Sequence, residues 1–147
     1  MKKKETCKEL KDKYLDSWKR SQAEFLNYKK EEKDRMEDLV NYSKENTILE
    51  ILPILDNIYL SEAHIPEKFK GDQWIKGLLL MKNQLVDFLK SQGVEEITDR
   101  TMFDPNFHEA IEEIESDEDS GTIIEEVKKG YTFNNKVIRP AIVKISK

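Results

Sequence analysis

From Gly130 to Ile145 the chain reads GYTFNNKVIRPAIVKI, and this stretch decides what kind of fold ends the molecule. Ala141, Val143 and Ile145 alternate with Ile142, Lys144 and Ser146, the period of two that a strand imposes on its side chains. Asn134 and Asn135 tolerate positive φ, so they suit a two-residue hairpin turn between strands at 131–133 and 136–138. Pro140 has no N–H to give a ladder and belongs at a strand edge or bulge. Toward the N-terminus, 94–97 and 123–128 also read as strands. The segment 107–115 fits a strand or a helix, the strand being preferred. Between them, 101–105 is a turn and 116–121 (SDEDSG) an acidic surface loop. The expected unit is a small all-β domain over 94–147.

Everything before Gly93 has a different texture. From Thr6 to Ser61 there is no glycine, Pro53 is the one proline, and Lys, Glu and Leu, all good helix formers, dominate. Leu10, Tyr14, Trp18, Phe25, Tyr28, Met36, Leu39 and Tyr42 recur at about 3.6 residues per turn, which predicts little left-handed supercoil. A stripe one residue wide does not stabilise a lone helix of this length in water, so the helix is expected to pair with a copy of itself. Beyond Ile48 the apolar set broadens through Leu52 and Leu55 to two adjoining faces, as a bundle helix requires. Pro53 should bend the helix. A connection at 64–72 leads to a second helix at about 72–92, with Trp74, Leu78, Met81, Leu85 and Phe88 on one face and Gly93 as its C-terminal cap. Two such hairpins from two chains make a four-helix bundle. Phe25, Tyr28, Leu39, Ile48, Leu52, Leu55, Leu78, Met81 and Leu85 are the residues expected at the dimer interface. The predicted class is α+β: a dimerisation helix plus second bundle helix over 1–93, then the β domain.

Composition narrows the function. Lys and Arg number 25 against 30 Asp and Glu, and the mixture at helix spacing describes a solvated helix surface. Each basic cluster is interleaved with acids and net charge is negative, which disfavours a phosphate-tracking nucleic-acid site. No run approaches the roughly 18–20 apolar residues needed to span a bilayer. The basic opening at Lys2 to Lys4 is followed by acids rather than an apolar core, which argues against a signal peptide and for a cytoplasmic protein. With Cys7 the single cysteine, neither an intrachain disulfide nor a Cys-cluster metal site can form. His64 and His108 lie far apart in sequence, and no His-Glu-x-x-His, phosphate loop or nucleophile elbow is present. His108 near Asp104, Glu109 and Glu112 reads as a histidine fastening a turn to the sheet. A binding protein without cofactor or metal is expected, not an enzyme.

The ordered set of words resembles the GrpE family of nucleotide exchange factors. It begins at Ala23 to Lys30 (AEFLNYKK) and continues through Leu52 to Asn57 (LPILDN), Gly77 and Gln92-Gly93-Val94. It closes with Phe103 to Ala110 (FDPNFHEA), Gly130-Tyr131 and Val137 to Val143 (VIRPAIV). The resemblance implies a parallel homodimer whose β domains, or wings, bind the nucleotide-binding domain of a DnaK-type chaperone and speed ADP release. It places chaperone contacts at Lys29, Lys30 and Tyr42 on the long helix, and at Lys136, Arg139 and Ile145 on the wing. Glu31 stands where a third basic residue is common, and Leu60 falls in a segment that usually carries an arginine after Asp56-Asn57. The competing reading is a coiled-coil structural or adaptor dimer whose β domain serves another client.

Overall fold

The computed structural model describes residues 6–147. The chain divides into two compact units, one ending at Ser43 and the other running from Lys44 to Lys147. Helix α1 (Cys7–Ala63) contributes to both. Its first turn is closed by Glu9, whose carboxylate accepts from the Thr6 N–H at 2.8 Å, the back-reaching half of a capping box.

Within the first unit nearly every side chain of α1 is exposed. Trp18, Phe25, Tyr28, Leu39 and Tyr42 are all more than half exposed. Local pairs lace its polar faces: Arg20–Glu24 at 2.9 Å, Arg35–Glu32 at 2.7 Å and Lys33–Glu37 at 3.7 Å. Such exposed pairs contribute at most about 0.5 kcal/mol each. This half of the helix therefore leaves an apolar stripe unburied.

In the second unit α1 runs unbroken past Pro53 to Ala63. A short 3-10 turn at Glu67–Phe69 leads to α2 (Gln73–Ser91). Asp72 caps α2 by accepting from the Trp74 N–H at 2.8 Å, and Gly93 ends it with φ +88°, a conformation that favours glycine.

The wing is two three-stranded sheets. One has the order β1 (Val94–Glu96), β4 (Tyr131–Phe133), β5 (Lys136–Arg139), all antiparallel. The other has β2 (His108–Ile114) and β3 (Ile123–Lys128) on either side of β6 (Ala141–Ser146). Asn134 and Asn135 take φ +49° and +64°, the mirror-image turn that the hairpin requires. Pro140 sits between β5 and β6, where the chain leaves one sheet for the other and no ladder N–H is needed. The 107–115 segment is a strand, pairing parallel with β6, a partner that alternation alone does not specify.

The core of this unit joins both helices to the first sheet: Ile48, Leu52, Leu55, Leu89, Val94, Tyr131 and Phe133. Ile48, Leu52 and Leu55, expected at the dimer interface, are buried inside the protomer, Leu52 and Leu55 completely. The stripe that carries them faces the chain's own wing. The other expected seam residues of this unit, Leu78, Met81 and Leu85, remain half-buried or exposed.

Candidate functional site

The basic residues of β5 lie against α1. Lys136, just after the Asn-Asn turn, reaches Glu45 with its Nζ 3.0 and 3.1 Å from the two carboxylate oxygens. Its side chain stays largely exposed, so the pair is cheap to exchange for another partner. Arg139, at the other end of the strand, is only 15% exposed. Its Nη1 and Nη2 fork onto Asp56 at 2.8 and 2.7 Å, and its Nε and Nη2 donate to the Lys129 carbonyl. The guanidinium also lies 5.3 Å from the Tyr131 ring centroid. Lys128 adds a second cation 3.3 Å from Asp56. Glu45, Ile48, Leu52 and Asp56 recur at helical spacing, and so one face of α1 delivers both acids and the apolar core to the wing.

Ile145 is half-buried on β6, in register with Ile123 and Glu113. Lys136 and Arg139 thus lie on β5 of the first sheet, and Ile145 on β6 of the second. Lys29, Lys30 and Tyr42 belong to the first unit, all exposed, with the Lys29 ammonium 5.0 Å from the Phe25 ring centroid. Sequence reasoning missed Glu45 and Asp56 as partners of the β5 cations. Their signal was an acid on the same helical face as Ile48 and Leu52.

His108 is buried and fully engaged: Nε2–H donates to the Asp99 carbonyl at 2.8 Å and Nδ1 accepts from the Asp104 N–H at 3.1 Å. That fixes its tautomer and fastens the 99–104 turn to the start of β2. His64 bonds the Leu60 carbonyl through Nδ1 at 2.7 Å. Among the described residues there is no cluster of three His, Cys, Asp or Glu that could hold a metal. Burial, the leading influence, raises the Glu126 carboxyl above its ordinary value against the pull of Arg100 and Lys129. Burial likewise pushes the Tyr131 hydroxyl up, keeping it protonated. Such perturbation can mark function; here it accompanies burial within the wing at Glu126 and, at Tyr131, packing against α1.

The GrpE family model matches residues 1–147. The chain belongs to the GrpE family. Among curated GrpE proteins it is 41% identical to that of Oceanobacillus iheyensis over 131 residues, covering 87% of this chain and 68% of that relative. It is 35% identical to the GrpE of Bacillus pumilus, covering 86% of this chain and 70% of the other. Against the GrpE of Campylobacter concisus it is 35% identical over 140 residues, 94% of this chain and 76% of that protein. The α+β architecture, a long N-terminal helix followed by small sheets, is the one expected of GrpE. No described helix is long and apolar enough to cross a membrane.

Proposed function

We propose that this GrpE-family chain is a nucleotide exchange factor. It binds the nucleotide-binding domain of a DnaK-type chaperone, favours the open cleft and accelerates ADP release. The observation that carries the reading is the family match over the whole chain. The factor performs no covalent step. It needs only a higher affinity for the open than for the closed cleft, and a few kcal/mol of difference shifts the population by orders of magnitude. Linkage is reciprocal, so a factor that weakens nucleotide binding is itself displaced when nucleotide binds tightly. ATP then frees the factor and exchange becomes cyclic.

The working form is a parallel homodimer. The exposed stripe through Phe25, Tyr28 and Leu39 supports pairing of the long helices, and exposed Met81 with half-buried Leu78 and Leu85 supports a four-helix bundle. Functionally the chain divides into a dimerisation part, 1–93, and the wing, 94–147. Lys29, Lys30, Tyr42, Lys136 and Ile145 are the chaperone contacts: the cations steer encounter with an acidic surface, while Tyr42 and Ile145 supply apolar anchors. A cytoplasmic setting suits this role, with neither nucleic acid nor membrane as partner. The adaptor alternative gains no support from any observation above. Analytical ultracentrifugation with a purified DnaK-type nucleotide-binding domain tests the binding step. A complex in ADP that dissociates on adding ATP is the expected result; sedimentation as separate species in both nucleotides refutes it.

A further inference from the structure

Arg139 was expected to touch the chaperone, yet its geometry points elsewhere. A guanidinium has five N–H donors. Four hydrogen bonds, two to Asp56 and two to the Lys129 carbonyl, already draw on Nε, Nη1 and Nη2 of Arg139. The one N–H left over cannot form a two-pronged clamp on an external carboxylate. Asp56 is equally committed and only 17% exposed, with Lys128 as its second cation.

The position of Arg139 along the chain gives this arrangement its meaning. It is the last residue of β5, next to Pro140, where the backbone passes from the sheet carrying Lys136 to the sheet carrying Ile145. From that joint it grips three places at once: Asp56 on α1, the carbonyl of Lys129 between β3 and β4, and the ring of Tyr131. Lys136, at the opposite end of β5, pairs with Glu45 through a side chain that stays largely exposed and can change partners. One cation of the strand is thus built in, and the other is available.

We propose that Arg139 is a positioning residue that, forked onto Asp56, fixes the attitude of the wing on α1 so that Lys136 and Ile145 meet the chaperone together. The proposal rests on the exchange-factor reading and assigns Asp56, a residue of the helix, to the wing's recognition function. Losing the fork leaves the contact residues intact but no longer held in one arrangement, and the ordering is then charged to binding. Lys has no planar fork and does not substitute.

The test is release of a fluorescent ADP analogue from a DnaK-type chaperone, titrated with wild type, Asp56→Asn, Arg139→Gln, the double variant and Arg139→Lys. Thermal melts show which variants are folded at the assay temperature. Positioning predicts that the half-saturating concentration rises about tenfold in each single variant and no further in the double, since both remove one shared interaction. The maximal rate is unchanged, and Arg139→Lys resembles Arg139→Gln. A loss of stability alone, with the wing still folded, would leave half-saturation at the wild-type value. If Arg139→Gln weakens while Asp56→Asn binds as wild type does, Arg139 touches the chaperone itself and the proposal is wrong. Wild-type half-saturation in both single variants overturns it as well. Should Asp56→Asn not fold, Asp56→Glu, which keeps the charge but lengthens the arm, is read in its place. Absence of any stimulation by wild type is a separate result, and it removes the exchange-factor reading along with this one.

Discussion

Gly130 shows how little freedom single positions have in the wing. A Cβ built there would lie 2.4 Å from the Ala141 amide nitrogen and 2.7 Å from Ile97 Cδ1, so the β3–β4 connection and the start of β6 would have to part. Gly130→Ala should therefore cost about 3 kcal/mol, the upper part of the range for overpacking, read as a lower urea midpoint at unchanged slope. Glu126 offers a test with the opposite sign. Burial raises its carboxyl, so the native state holds the proton more readily than the unfolded chain does. Ionisation then costs stability as pH rises through the window between the unfolded and folded values, and the cost is complete above it. Glu126→Gln should raise the melting temperature at pH 7, with the gain fading below about pH 4; an equal gain at both would exclude the charge as the cause. Residue types announced the turns well: Asn134-Asn135 and Gly93 took the positive φ their chemistry allows. What they did not announce was who pairs with whom. Arg139 looked like a surface cation because its partner, Asp56, lies far back in the sequence on a helix.

At the scale of elements, periodicity marked out both helices and the alternating strand β6, because an element's own repeat is local information. The two-sheet arrangement and the parallel β2–β6 pairing are non-local, and no repeat encodes them. The same limit explains Ile48, Leu52 and Leu55: an apolar helical face looks identical whether a second chain or the same chain's wing covers it. The first half of α1 is the element with least to hold it. The Arg20–Glu24 and Arg35–Glu32 pairs are local and its apolar stripe is bare, so its helicity should depend on association. Circular dichroism should show a helical transition below the unfolding of the wing, shifting upward at higher protein concentration. Trp18, the single tryptophan of that half, should report the earlier event by fluorescence. A single, concentration-independent transition would contradict this picture.

For the whole molecule, the two units offer different kinds of surface. The first presents Lys29, Lys30 and Tyr42 on an open helix, and the second presents Lys136 and Ile145 on a wing clamped by Asp56 and Arg139. The central claim is that these surfaces serve nucleotide exchange on a chaperone. The measurement that tests it most directly is stopped-flow release of a fluorescent ADP analogue from a DnaK-type chaperone. Wild type would be compared with a Lys29→Ala/Tyr42→Ala variant and, separately, Lys136→Ala. The account predicts clear acceleration by wild type, with about tenfold or more lost in the double variant and less for Lys136→Ala, a single exposed cation. Release no faster with the folded, dimeric protein than without it would contradict the account.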